Sequence, residues 1–162
     1  MGTNDRHYQC SQTEYGCSDE DRLERCEEDP EMFELLTAKE LGNLGEKVAA
    51  SFLTQHGYDV VERNYRCREG EADLVAHDVG EDEIILVEVK TRRARPGQRD
   101  IYPEEAVDAR KQLKYARIAA CYVMDRFPVT ALRFDVVAVT FFTGMSAQVE
   151  HITNAFQWDA DR

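Results

Sequence analysis

Apolar residues recur at helical spacing first within residues 34–55, at Leu35, Ala38, Leu41, Val48 and Phe52, with the small Gly45 and Ala49 between them. A stripe of that period is one face of an amphipathic helix, and His56-Gly57 is a C-terminal stop signal. Gly42 and Gly45 are the two points at which the helix could be interrupted. Three extended runs follow, 58–65, 72–77 and 83–90, separated by Gly70 and by the polar residues 78–82. These gaps are short enough for antiparallel hairpins. The third run, Ile84-Ile85-Leu86-Val87-Glu88-Val89-Lys90, is apolar on both faces until its end, as in a central strand covered on two sides.

After a basic loop, Ala106, Ala109, Leu113, Ala116, Ala120, Val123 and Phe127 fall on one stripe at alternating three- and four-residue steps. That pattern predicts a long helix ending before Pro128. Residues 132–140, rich in Val and Phe, read as a strand, and after a turn at Thr143-Gly144 a shorter strand is expected at 148–153. The order αβββαβ plus a short final strand requires the second helix to carry the chain back across a sheet. The expected class is therefore α/β, a mixed central β-sheet flanked by helices.

Charge divides the chain unevenly. Residues 1–40 hold twelve acids against four bases, a net of −8 out of −12 for all 162 residues. A segment so acidic and so poor in aliphatic residues buries too little apolar surface to offset its ordering entropy. Residues 1–33 are read as a disordered acidic extension, 34–153 as one domain and 154–162 as a tail. The opening residues lack an apolar run for export, and no stretch reaches the twenty apolar residues of a membrane span. Cytoplasmic location is the default expectation, and with it reduced cysteines, whose odd number of five also opposes a closed disulfide framework. Cys10, Cys17 and Cys26 with His7 invite a zinc reading, but their spacing does not match the common knuckles.

Chemistry concentrates in Gly70-Glu71-Ala72-Asp73-Leu74-Val75 and Val87-Glu88-Val89-Lys90. Side-chain alternation puts Glu71 with Asp73, and Glu88 with Lys90. If the two strands pair as a hairpin, Asp73 and Glu88 converge. Two carboxylates so placed repel unless a proton or a cation lies between them. Oxygen ligands on a rigid sheet suit Mg²⁺ or Mn²⁺, which keep waters and take phosphate oxygens. Lys90 would then serve the attacking water or offset phosphate charge. The plain alternative is that Glu88 and Lys90 cap a buried strand with a salt bridge. Glu71 is either a further ligand or a hydrogen-bonding residue near Asn64, and Asp135 reads as a structural partner of Arg133. His56 and His77 are not required by this chemistry.

The residues in order, Leu44-Gly45-Glu46-Lys47-Val48-Ala49, Gly57-Tyr58, Arg63-Asn64-Tyr65-Arg66, Gly70-Glu71-Ala72-Asp73, Val87-Glu88-Val89-Lys90-Thr91-Arg92, Ala106-Val107 with Lys111, and Arg133-Phe134-Asp135-Val136-Val137, resemble the YraN-like family of uncharacterised predicted endonucleases. The resemblance implies a restriction-endonuclease-like core of the PD-(D/E)xK kind, similar to Holliday-junction resolvases. It implies Asp73 as the motif Asp, Glu88 and Lys90 as its Glu-x-Lys, and Glu46 as an acid lent by the first helix. Ala72 stands where the family commonly has Ile.

Lys90, Arg92, Arg93, Arg95 and Arg99 lie within ten residues without an acid, and the next helix adds Lys111 and Lys114 with Arg110 and Arg117. Bases clustered beside a metal site suit phosphate positioning, against an overall charge that opposes a polyanion. The expected activity is metal-dependent hydrolysis of nucleic-acid phosphodiesters, DNA before RNA, including branched repair or recombination intermediates. Expected partners are nucleic acid and a second copy in a homodimer, with no membrane. The competing expectations are a binding module that keeps the nuclease fold without turnover, and an interaction protein acting through its acidic extension.

Overall fold

The computed structural model describes residues 33–94, 109–126, 128–142 and 146–156. Helix α1 (Ala38–Gln55) opens on Thr37, whose side chain accepts from the Glu40 backbone N–H at 3.3 Å while the Glu40 carboxylate accepts from the Thr37 N–H at 2.8 Å. This reciprocal cap satisfies two of the backbone donors that a helix start leaves open. The helix runs through Gly42 and Gly45 without a break.

Strands β1 (Tyr58–Cys67), β2 (Gly70–Asp78), β3 (Glu83–Arg93), β4 (Leu132–Phe141) and β5 (Ala147–Phe156) form one sheet in the order β1-β2-β3-β4-β5. All neighbours are antiparallel except β3 and β4, whose parallel pairing is reached by a crossover carrying α2 (Ala109–Asp125). Alternation along β3 then feeds two cores. Ile85 and Val87 join Leu41, Leu44 and Leu53 of α1, whereas Leu86 joins Tyr115, Ile118 and Tyr122 of α2. The sequence-based class, a mixed sheet with helices packed on it, is the class observed.

Gly45 explains how closely α1 lies on the sheet. A Cβ at this position would overlap the Thr91 side chain of β3. Gly45→Ala is therefore expected to lower stability by about 1–3 kcal/mol, the usual cost of overpacking, even though Ala favours a helix. Thermal melts of Gly45→Ala and of Gly45→Ala with Thr91→Ala check this. The second change removes the two nearest atoms but leaves the Thr91 Cβ at 2.8 Å, so it should restore only part of the loss.

Four boundaries or faces differ from the sequence reading. Residues 33–35 form a short turn that ends before Thr37, so Leu35 is out of phase with α1 and 77% exposed, while Phe33 and Leu36 are buried. Phe33, the last residue of the segment assigned to the acidic extension, is thus part of the core. On α2 the buried residues are Tyr115, Ile118, Ala119 and Tyr122, and Leu113 and Ala120 of the expected stripe are exposed. Tyrosine rings bury far more area than alanine methyls, and they decide which face docks. β5 does not stop at Thr153 but continues to Phe156, with Asn154 at φ 52° and a register shift between Phe134 and Val136 absorbing the irregularity. Residues 1–32, with Cys10, Cys17, Cys26 and His7, and residues 95–108, with Arg95, Arg99 and Ala106, lie outside the described residues, as does Phe127.

Candidate functional site

The ladder between β2 and β3 ends at Leu74 opposite Val87. One step further along that register Asp73 would oppose Glu88. There β2 departs from regular alternation, with Ala72 and Val75 in the α2-side core but Leu74 and Ala76 in the α1-side core. The Asp73 carboxylate takes over the role of a strand partner and accepts the Val89 N–H at 2.7 Å. The regular pairing therefore stops just before the two acids, and the Asp73 side chain bridges to β3 in its place.

Burial is the largest cause raising the Asp73 pKa, to about 6 from the ordinary 3.8. The Val89 N–H opposes it, the negative charges of Glu88 and Glu46 push further up, and the Lys90 ammonium pulls down. The other three residues singled out from sequence thus each bear on Asp73. Glu46 projects from α1 and is also raised, first by burial. Its hydrogen bond with Asn64 lowers it, Glu71 raises it and Arg63 lowers it. Asn64 stands at φ 53° on β1, a left-handed conformation that asparagine tolerates and that fits its role as partner to Glu46. Glu71 itself pairs with Arg66 at 3.3 Å near the surface.

Glu88 accepts from two donors. Lys90 Nζ binds one carboxylate oxygen, and the Tyr115 hydroxyl of α2 donates to the other. The salt bridge weighed as the plain alternative is therefore present, alongside the coupling to Asp73. Tyr115 was not found from sequence, because nothing local marks a contact between residues on different elements. Among the described residues, no three His, Cys, Asp or Glu side chains are gathered into a ready-made metal cage. Mg²⁺ does not need one, since it is commonly held by one or two carboxylates with waters and substrate phosphates. Asp73 and Glu88 are all-oxygen donors in a partly buried, net acidic place, and they fit a hard divalent cation.

The basic residues part company. Arg92 donates to Thr140 Oγ1 at 2.9 Å on β4. Arg93 is committed to the fold, donating to the carbonyls of Phe33 at 2.8 Å and Leu36 at 2.9 Å and lying 5.3 Å from the centre of the Phe33 ring. Its odd position on β3 turns it to the α1 side, where it clamps the N-terminal turn. Lys111 and Lys114 are exposed on α2. Lys114 lies across Gly70, where a Cβ would come within 2.6 Å of its Cε. The absent side chain gives the lysine its path toward the start of β2. Lys114→Ala is expected to weaken nucleic-acid binding and reduce its salt slope by about 1, whereas Arg93→Ala should lower stability and leave that slope unchanged. Fluorescence anisotropy over a salt series, with melts of both variants, separates the two roles.

Asp135 is the buried carboxylate that the sequence assigned to structure, and the structure agrees. It receives Arg133 Nε at 3.2 Å, His151 Nε2 at 2.8 Å and the Asn154 backbone N–H at 2.8 Å. Arg133 also reaches Asp78 and Glu83. His56 and His77 are engaged with the Phe52 carbonyl and Asp82, away from Asp73 and Glu88.

A mixed five-stranded sheet between helices, with acids and a lysine where the regular pairing of β2 and β3 stops, is a restriction-endonuclease-like α/β core. The chain belongs to the uncharacterised protein family UPF0102, whose family model matches residues 45–139. It is 41% identical over 117 residues to a UPF0102 protein of Pelobacter propionicus, covering 72% of this chain and 81% of that one. A UPF0102 protein of Geobacter metallireducens is 42% identical over 121 residues, 74% of this chain and 93% of its own. One from Moorella thermoacetica is 46% identical over 105 residues, 64% and 83% of the two chains. The matched span contains Glu46, Asp73, Glu88, Lys90 and Tyr115, whereas the whole of the acidic extension precedes it. No helix among the described residues is long and apolar enough to cross a membrane.

Proposed function

We propose that this protein is a Mg²⁺- or Mn²⁺-dependent endonuclease that hydrolyses phosphodiester bonds in nucleic acid, DNA above RNA, including branched intermediates of repair or recombination. The observation that carries the reading is the electrostatic coupling at Asp73. Burial and the charges of Glu88 and Glu46 act on one carboxylate that the Val89 N–H and the Lys90 ammonium only partly offset. Structure alone gives little reason to keep such a group, and perturbed acids of this kind gather at functional sites.

In this reading Asp73 and Glu88 hold the cation. When bound, it supplies Lewis acidity at the phosphate and a more acidic water. Lys90 stands beside the pair to orient the attacking water and to stabilise negative charge as it develops on the phosphate. Tyr115 positions Glu88 through its hydroxyl. Glu46, through Asp73, adds negative charge that favours the cation. Lys114 and Lys111 contact the phosphate backbone, with Arg92 near the end of β3 and, further along the sequence, Arg95 and Arg99.

A second reading has an observation of its own. Glu88 is already engaged by Lys90 and Tyr115, as it would be in a nucleic-acid-binding module that kept the fold and lost turnover. Labelled single-stranded, duplex, flap and four-way-junction substrates, each with Mg²⁺, Mn²⁺ or chelator, separate the two. The nuclease reading expects metal-dependent cutting that Glu88→Ala and Lys90→Ala abolish while substrate binding survives. Binding without cutting under every condition supports the module instead.

A further inference from the structure

Two thiols that this chemistry does not use meet between α2 and the end of β1. Cys67 closes β1 and packs against the cluster holding Ile118, Ala119 and Tyr122, and Cys121 lies in that same stretch of α2. The seam is fastened on either side of them. Arg117 reaches Glu69 at 3.9 Å on one side. On the other, the Tyr65 and Tyr122 rings meet edge to face at 5.0 Å, and the Tyr65 hydroxyl donates to Asp125 at 2.7 Å. Between these anchors the Cys121 thiol adjoins the Cys67 thiol and the Arg68 guanidinium. Both cysteines are free and partly open to solvent.

We propose that Cys67 and Cys121 are a redox modification site, closing to a reversible disulfide that staples α2 to the end of β1 when a low-molecular-weight disulfide of the glutathione type is in excess. One protein thiolate attacks the small disulfide, forming a mixed disulfide and releasing one thiol. The second protein thiolate then attacks the protein sulfur of that mixed disulfide and releases the other thiol. The protein loses two protons and two electrons, and the small disulfide gains them. Loss of hydration, followed by Cys67 itself, raises the Cys121 pKa against the pull of Arg68. A thiol so held is mostly protonated at neutral pH, so Cys121 is slow to react until the oxidant persists.

The staple bears on the rest of the molecule because α2 also carries Tyr115, which holds Glu88, and Lys114, which lies over Gly70. It fixes the helix that supplies both. It also closes a long loop in the unfolded chain, which favours the folded state.

The experiment uses the full chain, incubated with excess oxidised glutathione at mildly alkaline pH, alkylated and mapped by mass spectrometry, with melts run in parallel. The expected result is a dithiothreitol-sensitive peptide linking Cys67 to Cys121 and a rise in Tm. Neither gain should occur in Cys67→Ala or Cys121→Ser treated alike. Recovery of both cysteines as alkylated or singly glutathionylated residues overturns the proposal, as do linkages confined to Cys10, Cys17 and Cys26. An equal rise in Tm in the variants also overturns it.

Discussion

Asp73→Asn is expected to make the metal-free protein more stable at pH 8, by about 2–3 kcal/mol, while removing its response to Mn²⁺. Burial, Glu88 and Glu46 raise the Asp73 carboxyl to about 6 in the folded chain, against an ordinary 3.8. A carboxyl with a raised folded pKa binds its proton more tightly in the native state. Its charge therefore costs stability above pH 6, and that cost disappears as pH falls from about 6 to about 4. At roughly 1.4 kcal/mol per unit, a two-unit rise sets the size of the effect. Asparagine keeps an acceptor for the Val89 N–H and carries no charge, so the variant gains most at high pH and little near pH 4. Mn²⁺ should first close the gap and then reverse the order, because a cation that binds only the folded wild type adds about 2.7 kcal/mol at about 100 times its Kd and about 4.1 kcal/mol at about 1,000 times. Melts across pH with chelator and with Mn²⁺ check all three parts. A variant less stable than wild type at pH 8 would show that Asp73 is kept for the fold.

The second large effect lies away from the site. Asp135→Ala should cost about 3–5 kcal/mol, the usual result of removing one partner from a buried charged network. Arg133 retains Asp78 and Glu83, but His151 loses the acceptor for its ring and Asn154 loses the acceptor for its N–H. Both losses fall on β5, so hydrogen exchange should quicken across 147–156 before the rest of the sheet responds. Denaturant unfolding gives the total. A loss below about 1 kcal/mol would mean that the network offers no more than its replacement by packing.

Much of this arrangement could be read in the sequence, for physical reasons that also mark where reading stops. Strand alternation and the two-sided apolar run at Ile84 to Val87 located the sheet. The tight connection between the two strands set a register that would bring Asp73 opposite Glu88 one step past the last paired residues, Leu74 and Val87. What failed was the choice of face on α2. Counting Leu113, Ala116, Ala120 and Val123 as the apolar stripe gave alanine the weight of a core residue and gave Tyr115 and Tyr122 none. Tertiary packing ranks by area, and the tyrosines won. The partners of Arg93 were not legible for a related reason, because a basic residue in a run of bases gives no local sign that two backbone carbonyls 57 and 60 positions earlier accept from it. Tyr115 with Glu88, and His151 with Asp135, are likewise contacts between elements that only the fold creates.

The most direct test of the account is Mn²⁺ binding, measured by titration calorimetry and electron paramagnetic resonance in the presence of a phosphorothioate oligonucleotide that resists cutting. The account predicts one specific ion per chain, with affinity at least tenfold weaker in Asp73→Asn and in Glu88→Gln and largely retained in Lys90→Ala. Equal Mn²⁺ affinity in wild type, Asp73→Asn and Glu88→Gln, or no specific ion even with the oligonucleotide bound, would contradict it.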